Sequence, residues 1–170
     1  MTDGESIVQL MNLYALAIDA KQLAIWDRVF TSDVTADYPW GRWVGLAPWR
    51  EAFEENIVAP FDVTQHLMLN VVWTVSHDAG RLLAQGMFHM VRRGFPGGDM
   101  MSGGAWFDSA LRMTPEGWRI SEQTCRVTWM SGNAAVMSRR PPSPPTSMSE
   151  GIADGTLKFI DSLPVTATRP

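Results

Sequence analysis

The sequence predicts an α+β fold, a cone-shaped curved antiparallel sheet packed against N-terminal helices. Three observations lead there. Apolar residues recur at helical spacing along the first stretch of chain. Four long β-rich stretches then follow one another, joined by short turns. The helices precede the strands, an order that belongs to α+β and not to alternating α/β. A chain of 170 residues fits one domain with a real core, and 45% hydrophobic against 19% charged residues marks it as globular.

Ser6 is placed to cap a helix running to about residue 20. Ile7, Val8, Leu10, Met11, Tyr14, Ala15 and Ile18 give its apolar spacing. At about 100° per residue, Val8, Met11, Ala15 and Asp19 share one side. Asp19 thus continues an apolar stripe, where an unpaired carboxylate is costly. It reads equally as a solvated last-turn residue before Lys21. Tyr14 shares part of that side. Residues 23–30, LAIWDRVF, form a short second helix. Residues 33–38, DVTADY, alternate as a strand, and 42–44 make a short piece between Gly41 and Gly45. Pro48 sits near the first turn of a third helix that reaches about residue 58 and ends before Pro60.

The stretch 63–76, VTQHLMLNVVWTVS, is the longest β signal. Strict alternation puts Leu67, Leu69, Val71, Trp73 and Val75 on one face, and His66, Met68, Asn70 and Val72 on the other. His66 sits on a partly buried wall. One hydrogen bond would satisfy it as a core histidine, and a carboxylate from the first helix would give it chemistry. Residues 81–92 form the next strand, with Met87, His89 and Val91 on one face. A Gly-Pro loop follows. Residues 101–113 and 118–130 pair across the hairpin turn Thr114-Pro115-Glu116-Gly117. Beyond the domain at residues 1–133 lies the segment 134–170, in which RRPPSPP at 139–145 reads as an extended tail. A weak helix over 150–163 could dock on this or a neighbouring subunit.

The net charge of −4 and the lack of a basic stripe argue against nucleic acid. No apolar run approaches the ~20 residues of a membrane span. The start, MTDGES, has no apolar signal core, so a cytoplasmic location is expected. The single cysteine, Cys125, excludes an internal disulfide and reads as a small buried strand residue. Eight Trp and eleven Met imply either a wide apolar cavity or a large subunit interface. Trp73, Trp106, Trp118 and Trp129 suggest a homo-oligomer, a trimer or otherwise a dimer.

Four local motifs, taken in order, carry a resemblance: LYALAIDAK, FTSDVTADY, TQH, and SGGAWFDSALRMTPEGWRISEQTCRV. Over residues 6–130 the chain resembles the SnoaL-like branch of the nuclear-transport-factor-two-like superfamily. That branch contains scytalone dehydratase and bile-acid dehydratase, and its fold is the cystatin-like α+β barrel. The resemblance implies that His66 is a general base, that Asp19 orients it, and that Tyr14 and Tyr38 contact a substrate oxygen or its water. It places Arg126 at a functional arginine and His89 at a second polar position. Ile18 stands where scytalone dehydratase has a second tyrosine, which argues against scytalone as substrate.

An elimination beta to a carbonyl needs a base of near-neutral pKa, a carboxylate to fix its tautomer, and a donor for the developing enolate oxygen. His66, Asp19 and one of Tyr14, Tyr38 or Arg126 meet these needs without a cofactor or a metal. Three functions compete. One is a lyase acting on a hydrophobic polycyclic or aromatic small molecule. The second is a related isomerase, epimerase or cyclase. The third is a non-catalytic subunit like the beta subunits of ring-hydroxylating dioxygenases. Trp40, Trp43, Met68 and Met87 are the expected cavity walls.

Overall fold

The computed structural model describes residues 2–137. The element order is α1 (Asp3–Asp19), a 3-10 turn (Leu23–Arg28), β1 (Phe30–Tyr38), β2 (Gly41–Val44), α2 (Leu46–Phe53), β3 (Val63–Ser76), β4 (Ala79–Val91), β5 (Met100–Thr114) and β6 (Gly117–Gly132). The fold is α+β: a six-stranded curved sheet with the helices packed into its concave side.

Thr2, not Ser6, caps α1. Its hydroxyl accepts from Glu5 N–H, and the Glu5 carboxylate accepts in return from Thr2 N–H at 2.7 Å. This capping box satisfies two otherwise orphaned donors. Ser6 lies one turn inside and donates to Thr2 O at 3.1 Å. The helix ends at Ala20, and Lys21 adopts φ 56°. After α2 the chain widens into one π turn, Glu54–Val58, closed by Ala59 N–H donating to Glu54 O at 2.8 Å. Such turns often occur at functional sites. Here the widened turn belongs to the segment that brings Ile57 to the cavity described below.

The sheet order is β2-β1-β6-β5-β4-β3. The four long strands form the expected antiparallel meander. One pairing departs from a purely antiparallel sheet: β1 lies parallel to β6, matching Ala36 to Gln123. That pairing closes the cone and carries Tyr38 across to β6.

Two strands differ from strict alternation. In β3, three steps from Leu69 to Val72 face two steps from Gln85 to Leu83. Asn70 takes φ 51° at this bulge, a left-handed conformation that asparagine tolerates better than most residues. The inward face therefore switches: Met68 packs against the core before the bulge, and Val71 and Val75 after it. Leu67 and Leu69 remain half-exposed. In β4 it is Leu82, Ala84, Phe88 and Met90 that point inward, so Met87, His89 and Val91 face out. Both faces of this strand are apolar in sequence, so periodicity alone cannot choose between them.

The tryptophans divide by role. Trp26, Trp49 and Trp118 are fully buried core residues, so Trp118 offers no surface to a partner. Trp26, Trp49, Phe30 and Phe53 make an aromatic cluster with centroid separations of 4.6–6.3 Å. Trp40 and Trp43 lie together at 4.6 Å near the open end of the cone. Trp106 and Trp129 are exposed on the outer sheet face, and Trp73 lies against Gly4 of α1. Ala134–Met137 forms a short 3-10 turn in which Val136 is fully buried. The rest of the expected tail, including the helix over 150–163, lies outside the described residues. Among the described residues no helix is long and apolar enough to cross a membrane.

Candidate active site

The last turn of α1 meets the start of β3. Asp19 receives three hydrogen bonds there: Thr64 Oγ1 donates to Oδ1 at 2.9 Å, His66 backbone N–H donates to Oδ2 at 2.7 Å, and His66 Nδ1 lies 2.7 Å from Oδ1. A carboxylate oxygen accepts, so Nδ1 carries the hydrogen of this bond, and in the neutral imidazole the lone pair then lies on Nε2. The His66 side chain is 7% exposed and that of Asp19 19%. The backbone N–H of His66 and its ring hold the same carboxylate, which fixes the imidazole to the helix end.

His66 lies in the wall of a cavity of about 320 Å³ enclosed by the sheet, β1, Trp40, Phe53 and Ile57. Phe88, Met90, Met101, Ala105, Phe107, Cys125 and Val127 supply its apolar walls. Trp40, Met130 and Met137, all more than a third exposed, stand at its mouth. Phe88 lies 6.3 Å from the imidazole between ring centroids. A side chain at Gly103 would run into the Phe88 ring, so glycine there is what lets Phe88 lie against β5. Among the described residues no lysine, arginine, aspartate or glutamate lines this cavity.

Tyr14 and Tyr38 form its second polar element. Their hydroxyls are 3.0 Å apart, and Gln123 Nε2 donates to the Tyr38 hydroxyl at 2.6 Å. Tyr14 stacks on Trp26 at 5.5 Å and meets Phe107 edge-on at 5.7 Å. Burial raises the pKa of both hydroxyls well above the usual phenol value, and for Tyr38 the adjacent Tyr14 adds to the rise. Both therefore remain neutral donors at physiological pH. Burial likewise pushes the Cys125 thiol up to about 12, so at neutral pH it is an inert wall and not a nucleophile.

A second opening reaches the pair from the other side. This groove between α1 and β3, about 540 Å³, is lined by Gln9, Asn12, Leu16, Asp19, Gln65, His66, Leu67 and Met68 among others. The Asp19–His66 pair thus separates an apolar interior from a more polar outer groove.

The structure brings together Asp19, His66, Tyr14, Tyr38 and Trp40. It does not bring in the other expected residues. Arg126 points out of the sheet and pairs with Asp37, Nη2 to Oδ2 at 2.7 Å, because its neighbours Cys125 and Val127 take the inward positions. His89 faces outward and its Nδ1 lies 2.7 Å from Ser102 Oγ. Met87 shares that outer face. Met68 points inward but contributes to the groove and not to the cavity. Trp43 backs Trp40 instead of lining the space. Sequence reasoning passed over Thr64, Phe88, Phe107 and Gln123. Phe88 could have been found from Gly103 in the SGGA run opposite it, and Phe107 from Gly86 on β4, since both glycines leave room for a ring. Among the described residues no three His, Cys, Asp or Glu side chains converge as a metal site.

The SnoaL-like domain model matches residues 1–124 of the chain. The chain belongs to the SnoaL-like family. An uncharacterized protein of Mycobacterium tuberculosis is 31% identical over 121 residues, covering 71% of this chain and 82% of the relative. Among solved structures, the Kfla4162 protein of Kribbella flavida superposes with TM-score 0.73 at 23% identity, covering 79% of this chain and 96% of that one. A protein assigned as a scytalone dehydratase from Novosphingobium aromaticivorans gives TM-score 0.68 at 15% identity, covering 82% and 91%. The hexachlorocyclohexane dehydrochlorinase LinA-type3 from Novosphingobium barchaimii gives 0.65 at 17%, covering 81% and 94%. At these identities the structures establish the fold: a SnoaL-like, nuclear-transport-factor-two-like cone.

Proposed function

We propose that this SnoaL-like protein is a cofactor-free lyase. It removes a hydrogen and a leaving group from adjacent carbons of an uncharged, hydrophobic ring compound. The observation that carries this reading is the Asp19–His66 pair, tautomer fixed, in the wall of an apolar cavity. Polar groups converging in such a cavity are costly to stability and are best accounted for by chemistry. Two structural neighbours bear the names of a dehydratase and a dehydrochlorinase. Both names denote loss of H–X, which supports the same reaction class here.

His66 Nε2 takes the proton from the carbon next to the carbonyl. The C–H electron pair becomes the enolate, whose oxygen accepts from the Tyr14–Tyr38 pair. Asp19 holds the resulting imidazolium. The enolate electrons then form the carbon–carbon double bond and expel the leaving group. A leaving hydroxyl takes the proton from His66 Nε2 and departs as water, which restores the neutral imidazole. Among the described residues no cationic side chain lines the cavity, which disfavours carboxylate or phosphate substrates on desolvation grounds. A volume of about 320 Å³ is at the small end of ligand pockets and fits a compact ring system.

The test is His66→Ala, assayed on aromatic and alicyclic β-hydroxy ketones by the absorbance of the conjugated product. Turnover is expected to vanish with the fold intact. Undiminished turnover in the variant would remove His66 as the base. Products without a new double bond would move the reading to an isomerase or cyclase built on the same pair.

A further inference from the structure

The polar end of the cavity contains one residue that does not reach the cavity. Gln123 is fully buried on β6. Its Nε2 donates to Tyr38 at 2.6 Å, and its Oε1 has no hydrogen-bond partner among the described residues. Ser109, directly opposite on β5, is also buried and leaves its Oγ unpartnered. A buried amide with an unpaired oxygen is destabilising where an apolar residue of similar shape would not be. The fold therefore gives no reason for an amide at this position. The hydrogen-bond arithmetic of the tyrosines does.

Two hydroxyls 3.0 Å apart have two hydrogens, and one is used between them. The Gln123 amide occupies an acceptor site on Tyr38. In either direction of the tyrosine–tyrosine bond, one O–H is left over, on Tyr14 or on Tyr38, and both side chains line the cavity. Donation from Gln123 polarises whichever hydroxyl remains, because successive hydrogen bonds strengthen one another in a buried chain.

We propose that Gln123 is a positioning residue. By donating to Tyr38 it fills an acceptor site of the Tyr14–Tyr38 pair and strengthens the one O–H that the pair has left to donate to a ligand oxygen. The inference rests on reading the tyrosine pair as the group that binds the developing oxyanion. It favours substrates that place one strong acceptor oxygen at that end of the cavity.

The experiment uses para-nitrophenol, a compact aromatic whose phenolate absorbs at longer wavelength than its phenol. In the wild-type protein the bound probe is expected to ionise at lower pH than the free one. Gln123→Met, which keeps length and removes the amide, is expected to reduce phenolate affinity about tenfold. Ser109→Ala removes the neighbouring orphan hydroxyl, touches neither tyrosine, and leaves the probe's behaviour unchanged. In a Tyr38→Phe background, Gln123→Met has no further effect, because the amide acts only through Tyr38. Three results would overturn the proposal: no lowering of the bound probe's pKa in the wild type, the same lowering in Gln123→Met, or an equal loss from Gln123→Met when Tyr38 is already phenylalanine. If Gln123→Met does not fold, Tyr38→Phe alone decides: it removes the middle link, and a retained phenolate preference rejects the relay. The readout needs no turnover. A failed lyase assay with a Gln123-dependent phenolate shift rejects the proposed reaction alone, and the reverse pattern rejects the relay alone.

Discussion

Asp19 Oδ1 lies 2.7 Å from His66 Nδ1, while its Oδ2 accepts the backbone N–H of the same histidine at 2.7 Å. One carboxylate thus fixes both the ring and the strand that carries it. Asp19→Asn keeps the shape and can present an N–H to Nδ1, which places the ring hydrogen on Nε2 and removes the free lone pair. Turnover is expected to fall by about 10²–10⁴ with little change in KM, as when the orienting aspartate of a triad becomes asparagine. A variant with wild-type turnover would show that tautomer control is not needed.

Alkaline stability follows from the buried acids at the centre of the cone. Tyr14, Tyr38 and Cys125 are all raised, in each case first by burial. An acid with a raised folded pKa is more stable neutral in the native state. Its contribution is complete below the unfolded pKa and declines as pH rises through the folded one. For Cys125 the decline starts near the ordinary thiol value of 9.0 and continues to about 12. For the tyrosines it starts near 10.0. Stability is therefore expected to drop above about pH 9, by up to ~1.4 kcal/mol per pH unit for each group. Cys125→Ala should remove the earliest part of that drop in urea titrations at stepped pH. An identical profile in this variant would contradict it.

Arg126 and His89 test which sheet face carries the chemistry. Arg126 pairs with Asp37 on the surface, and His89 pairs with Ser102 on the outer face. Surface pairs contribute little. Arg126→Ala and His89→Ala should each leave kcat and KM near wild type and shift Tm only slightly. A large loss of kcat from either would mean that the outer face participates.

The dyad was legible in sequence because one helix and one short motif carry it. Asp19 continues the Met11–Ala15 stripe, and TQH sits where a long strand begins. The outward turn of Arg126, His89 and Met87 was not legible. Apolar residues occupy both faces of β4 and β6, so alternation names two faces without saying which is inside. The bulge at Asn70 and Val71 depends on pairing with Gln85 and Leu83, which no local signal contains. The contact between Tyr14 and Tyr38 spans 24 residues and exists because β1 runs parallel to β6.

Self-association is expected through the outer sheet face. Leu67 pairs with Met87, Met87 with Gly104, and the Trp129 ring lies over Gly104, giving an apolar row across four strands. Trp106 stands beside it, 41% exposed. A contiguous apolar strip of this kind marks an interaction surface. Light scattering at micromolar protein should give a dimer or trimer, and Trp129→Glu should shift it to monomer. A wild-type monomer would refute the expectation.

The cavity itself gives the most direct test of what the protein accepts. Among the described residues its walls hold no formal charge, and the polar side chains lining it are the His66 imidazole, the Tyr14 and Tyr38 hydroxyls, the Trp40 indole and the Cys125 thiol. A neutral apolar fluorophore such as N-phenyl-1-naphthylamine should bind. Its sulfonated relative should bind at least about tenfold more weakly, because a sulfonate would be desolvated without a cationic partner. Ala105 is buried in the wall on β5. Ala105→Phe places a ring into existing space and should abolish binding of the neutral probe. Overpacking in a filled core costs about 1–3 kcal/mol, whereas filling a cavity should leave Tm at or above wild type. A steep fall in Tm with probe binding retained would mean that the space is packed solid in solution and that no ring system sits beside His66.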